Sequence, residues 1–157
     1  MFTPRYRTTL RAWAWAPLAL AMAFSSTAAT EIFPMLIFGS NASNPPAGFK
    51  AEPVKSKEVL ENLDFANWAR YWEVEPKDRK KVDLERAKPL RLEFAEKKFR
   101  VVLIDLGNGK IQAQVRTPGG KTYSRPVQFQ KNRIIVAGKE DGVGWFLYIH
   151  KGPKRPR

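Results

Sequence analysis

The sequence predicts a mainly β fold: an antiparallel meander of about six strands, as a small sandwich or partly open barrel, with one N-terminal α-helix packed on it. Three observations lead there. Apolar residues alternate with polar ones at period two in several runs of residues 90–150, Leu90 to Phe94 and Ile111 to Arg116 among them. Short β-rich runs are separated by Gly, Asn and Pro clusters at close, regular spacing. Only one stretch, Ser56 to Trp72, has helical spacing.

The strands follow in order. Leu90, Leu92 and Phe94 alternate with Arg91 and Glu93 as a half-buried strand. Phe99 to Leu106 is apolar on both faces. Asn108-Gly109 is a hairpin signal, because both residues tolerate the positive φ of a type I′ turn. Ile111, Ala113 and Val115 then oppose Gln112, Gln114 and Arg116. Pro118-Gly119-Gly120 turns the chain into a strand with Tyr123, Val127 and Phe129 inward. Pro126 cannot donate to a ladder, which makes that strand an edge or bulged. Lys131-Asn132 precedes Arg133 to Ala137, and Lys139 to Gly142 turns into Val143 to His150, in which Trp145 to Ile149 is again apolar on both faces. Tight connections require antiparallel pairing, since parallel neighbours need crossovers of a dozen or more residues. Two doubly apolar strands need cover beyond the meander, and only the chain before residue 90 can supply it.

Upstream, residues 1–29 read as a signal peptide. Arg5, Arg7 and Arg11 precede an apolar run from Ala12 to Phe24, and small residues end at Ala29. Polar residues between Ser25 and Glu31 weigh against an uncleaved anchor. Export to the periplasm or outside the cell follows as an expectation. The chain has no Cys, so packing rather than disulfides must hold it together. Residues 30–55 hold a second apolar run, Ile32 to Phe38, followed by a Pro/Asn/Ser linker. A strand is preferred over a docking segment for the apolar run, since long exposed apolar stretches are rare. Residues 56–150 form one β-rich domain with its helix near 56–72. Ser56 is the expected cap, and Phe65, Trp68 and Trp72 form an aromatic stripe, read as a lid on the sheet rather than a platform for sugars or bases. Residues 73–88 read as a charged connector and 151–157 as a basic disordered tail.

The net charge of +13 is unevenly distributed. Residues 50–100 hold 14 basic and 11 acidic side chains, whereas 101–157 hold 11 and 3. Lysines at strand ends deter edge-to-edge aggregation, but that does not account for so few acids. Such a field attracts anionic partners, and Lys121, Arg125, Lys131 and Arg133 are the candidate contacts, expected at one end of neighbouring strands.

Motifs for catalysis or cofactors are weak. Gly119 to Thr122 ends like a phosphate-binding loop, but Val115 stands where the first Gly belongs and a strand follows. One His and no Cys offer no transition-metal set, and no cofactor is expected. Asp105, Ser124 and His150 can be written as a hydrolytic triad, and Glu73 with Glu75 as a carboxylate pair, without local sequence support. The expectation is an exported non-enzymatic envelope or secreted module that binds or helps assemble a partner protein. The alternatives are recognition of an anionic glycan, lipid or nucleic acid by the basic β block and, more remotely, a hydrolase.

Overall fold

A computed structural model describes residues 28–78, 80–152 and 156; the expected signal segment, save its last two residues, and most of the expected tail lie outside them. The fold is mainly β and antiparallel, built as two packed sheets. The first sheet takes the order β2-β3-β1-β10-β9, from β1 (Thr30–Ser40), β2 (Ala51–Pro53), β3 (Arg70–Val74), β9 (Arg133–Glu140) and β10 (Val143–Lys151), with β4 (Val82–Leu84) also paired to β1. The second takes the order β5-β6-β7-β8, from β5 (Leu90–Phe94), β6 (Phe99–Gly107), β7 (Lys110–Arg116) and β8 (Thr122–Gln128).

The six strands after residue 90 therefore do not form one meander. Four do; then the chain crosses at Phe129 to Asn132, and β9 and β10 join β1 in the other sheet. Hydrophobicity explains the split. β10 sends Trp145, Leu147 and Ile149 into the sandwich and Phe146 and Tyr148 to the opposite face, and all five are buried. Beside it β1 does the same, with Ile32, Leu36 and Phe38 inward and Met35 and Ile37 outward. Two doubly apolar strands are most stable side by side at the centre of a sheet covered on both faces. Each large side chain so buried contributes about 2 kcal/mol. Pro34 fits in this central strand because it faces a gap: β4 pairs with Thr30 to Ile32 and β3 with Ile37 to Ser40, while only β10 runs past Pro34.

The cover on the outer face of the first sheet is α1 (Lys57–Leu63), whose Val59 and Leu63 pack on Met35, Ile37, Phe146 and Tyr148. The helix is not N-terminal, since it follows β1 and β2 in the chain, and it is shorter than the spacing suggested. Ser56 caps it as expected, accepting the Val59 N–H at 3.3 Å. A 3-10 turn follows over Asp64–Ala66, and Asn67 adopts left-handed φ (53°), ending the helical course before Trp68. The aromatic stripe consequently does not exist. Trp72 lies in β3 inside the sandwich, Trp68 lies over the end of the first sheet, and Phe65 is 68% exposed.

Register in the second sheet depends on one extra residue. A two-residue turn at Asn108-Gly109 pairs Gly107 with Lys110, which alone would place Val101 and Val115 on opposite faces. A bulge between Asp105 and Gly107 corrects the phase, so that Val101 faces Val115 and Leu103 faces Ala113, all inward. The additional residue, Leu106, turns outward and is half exposed. Val102 and Ile104 on the outer face of β6 receive no helical cover and are only partly buried, contrary to the expectation for a doubly apolar strand. The expected linker after β1 is also a packing element: Phe49 sits 4.7 Å from Phe38 and 6.3 Å from Phe99, centroid to centroid.

Candidate functional site

The two sheets leave unpaired edges side by side, β8 closing the second sheet and β9 the first. Between them, next to the crossover, lies a cleft of about 370 Å³ lined by Val127, Gln128, Gln130, Arg133, Ile134 and Ile135, with Asn62 and Phe65 from the helical segment. Arg133 is half buried in this cleft, Lys131 occupies the crossover turn with φ 49°, and Arg125 is exposed on β8. Arg125 lies between the inward residues Tyr123 and Val127, so it is an inward-phased charge on an edge strand, next to Pro126. Those two features block β8 from pairing with another strand. The β9 edge carries no proline.

Lys121 does not belong to this group. It precedes β8, whereas Lys131 follows it, and a seven-residue strand spans roughly 23 Å. The expectation that all four cations gather at one end is therefore corrected: Arg125, Lys131 and Arg133 flank the crossover, and Lys121 stands at the far turn.

Sequence position hid a second basic feature. On the outer face of the second sheet Arg100 lies directly opposite Arg116, with Glu93 across from Arg100 and Arg91 two residues along β5. Like charges so placed repel each other. The signal was present in the parity of β6 and β7, but only the bulge at Leu106 reveals the pairing.

The charge balance sharpens the picture. From Leu106 to Lys139 there is no Asp or Glu, and seven Lys or Arg residues occupy that stretch. None of the seven forms an ion pair among the described residues; Lys139 instead stands over the Trp68 ring, 5.5 Å from its centroid. Several lysines elsewhere are neutralised: Lys81 by Glu31 at 2.6 Å, Lys88 by Glu85 at 3.0 Å and Lys50 by Glu96 at 3.1 Å. Those pairs raise the Lys81 pKa and lower that of Glu96, each through the hydrogen bond to its partner first and its charge second.

The suggested catalytic groups are not assembled. Ser124 faces out from the second sheet, bonded to Gln112 at 2.9 Å, while His150 lies on the outer face of the first, 3.5 Å from Glu58 of α1. The whole core separates them. Asp105 accepts the Gly107 N–H at 2.8 Å and stabilises the bulge. Glu73 and Glu75 share a cleft of only about 90 Å³, and the Glu75 carboxylate accepts the Glu96 N–H at 3.2 Å. Gly119 to Lys121 form the β7–β8 turn, not a phosphate cradle before a helix. Among the described residues no cluster of His, Cys, Asp and Glu has the makings of a metal site, and no helix is long and apolar enough to cross a membrane. Comparison with protein-family models, curated proteins and solved structures finds no match to this chain.

Proposed function

We propose that the chain is an exported, non-enzymatic envelope or secreted module that binds or helps assemble another component, and that the β8–β9 seam receives an anionic part of that partner. The observation carrying this reading is the acid-free stretch with its seven cations, none of them in an ion pair among the described residues, of which Arg125, Lys131 and Arg133 stand beside two open sheet edges. Unneutralised charge beside a cleft favours an anionic occupant. Deterrence of edge pairing accounts for Arg125 and Pro126 on β8 but leaves Lys131 and Arg133 without a structural duty. Export rests on the pattern of residues 1–29, and N-terminal sequencing of the mature protein should begin at Thr30.

The test is affinity capture from envelope extracts with the mature chain and with an Arg125→Ala/Lys131→Ala/Arg133→Ala variant. The wild type should retain a specific partner that the variant loses, whereas Lys121→Ala should retain it. Equal capture by wild type and triple variant would remove the seam from the mechanism.

The opposed Arg100 and Arg116 favour a second reading, direct recognition of an anionic polymer or lipid on the outer face of the second sheet. Affinity for a polyanion such as heparin would then fall steeply with salt, by roughly one power of salt concentration for each anionic group neutralised. Arg100→Ala/Arg116→Ala should flatten that slope by about two, and an unchanged slope would reject this surface.

A further inference from the structure

At the opposite end of the sandwich from Lys151, a cleft of about 260 Å³ opens between the sheets. Phe38, Phe99 and Trp145 form its walls, and Phe49 closes one side with Pro46 and Ala47. The rings are in mutual contact: Phe38 and Phe99 lie 5.7 Å apart, and Phe99 and Trp145 6.2 Å. At the mouth stand Glu140 and Asp141. They are the only two carboxylate side chains in residues 106–157, a region otherwise strongly basic.

Glu140 is held in place rather than free to roam. It reaches from β9 across to the other sheet, where one oxygen accepts the Thr117 hydroxyl at 3.2 Å, and Thr117 is itself buried. Gly119 leaves the room this requires, since a Cβ there would come within 2.9 Å of the Glu140 carboxyl carbon. One ring of the group already attracts a cation: the Lys98 ammonium stands 5.1 Å from the Phe49 centroid and donates to the Gly48 carbonyl at 2.9 Å.

We infer that this cleft binds a quaternary ammonium group. Ring faces attract a cation through their quadrupole, most strongly when the site is desolvated. The two carboxylates supply the countercharge that the rest of residues 106–157 lacks. The carboxylates can accept from a primary ammonium only at the mouth, so its donors facing the Phe, Trp, Pro and Ala walls would go unmet, whereas a fully methylated nitrogen has none to satisfy. The trimethylammonium group can come from a free solute or from a phospholipid headgroup, and this site does not depend on the seam described above.

Titration calorimetry with the mature chain decides the matter, using choline, its neutral carbon isostere 3,3-dimethyl-1-butanol, and ethanolamine. Choline should bind saturably, with both comparison compounds at least about tenfold weaker. Glu140→Gln/Asp141→Asn should weaken choline by about tenfold without moving the unfolding transition, because Gln can still accept from Thr117. Phe49→Ala should weaken it as well. Absence of saturable choline binding, equal binding of the neutral isostere, tighter binding of ethanolamine, or a carboxylate double variant that binds normally would each overturn the inference. Sedimentation with phosphatidylcholine vesicles, reversed by free choline, assigns the group to lipid; choline binding without sedimentation assigns it to a soluble amine.

Discussion

Trp68 rests on two facing glycines, and that contact can be measured. Gly39 of β1 pairs with Gly144 of β10, and the indole lies flat across both. A Cβ on Gly39 would come within 2.6 Å of Trp68 Cγ, and one on Gly144 within 2.6 Å of Trp68 Nε1 and 2.8 Å of Cε2. Neither glycine has the positive φ that would disfavour Ala by itself. Gly39→Ala should therefore cost about 1 to 3 kcal/mol from overpacking, offset by about 0.4 to 1 kcal/mol from the stiffer unfolded chain. Trp68→Ala should cost about 2 to 3 kcal/mol, below the range for fully buried Trp because the ring is only partly covered. Once the indole is gone the clash vanishes and only the chain-stiffening gain remains, so Gly39→Ala should become neutral or stabilising in the Trp68→Ala background. Urea unfolding followed by far-UV circular dichroism gives all four corners of the cycle, with an expected coupling of about 1 to 3 kcal/mol. Effects that add to within about 0.5 kcal/mol would show that Trp68 does not sit on the glycine pair.

Other consequences are checked in the same way. Trp72→Ala should cost about 3 to 5 kcal/mol and Phe65→Ala under about 1, measured by urea midpoint, because one residue is in the core and the other is mostly exposed. Deleting Leu106 should abolish the cooperative transition by inverting one face of β6, whereas Leu106→Ser should change stability by less than about 1 kcal/mol. Burial raises the Tyr148 pKa above 10.0, partly opposed by the hydrogen bond that Asn62 donates at 2.8 Å. The folded chain thus holds this proton when the unfolded chain releases it, so stability is flat below pH 10 and falls as pH rises towards the folded pKa. Tyr148→Phe should reduce that alkaline loss, and an unchanged profile would place its origin elsewhere.

The strands of residues 90–150 were legible because alternation and turn residues are local signals. Their division between sheets was not. It depends on whether β10 finds a better neighbour in β9 and β8 or in β9 and β1, and that is a comparison of long-range contacts. The clue was nonetheless present: Ile32 to Phe38 and Trp145 to Ile149 are both apolar at every phase, and such strands belong together in the middle of a sheet. The helix begins where expected but stops short of Trp72, for a different reason. Phe65, Trp68 and Trp72 have helical spacing, but left-handed Asn67 interrupts the backbone, and Tyr71 closes the turn by donating its hydroxyl to the Leu63 carbonyl at 2.8 Å. Periodicity cannot register one residue of the wrong handedness.

For the sites, composition located the charge but could not aim it. Turns that flank one strand lie at its two ends, so Lys121 and Lys131 could never have shared a patch through β8 alone. Strand parity does better: it puts Arg100, Gln112, Gln114 and Arg116 on one outer face as soon as Val101 and Val115 are assigned to the core. The aromatic cleft was hidden more deeply, because its walls come from β1, the following loop, β6 and β10. Glu140 and Asp141 read locally as part of a hairpin turn, and the left-handed Asp141 with Gly142 confirms that backbone role. Their side chains acquire a second one only because the β7–β8 turn of the other sheet comes to meet them, with Gly119 small enough to admit the carboxylate. A pair of acids in residues 106–157, otherwise free of acidic side chains, is the feature that sequence could have flagged, since turn formation alone would have been served equally well by Asn.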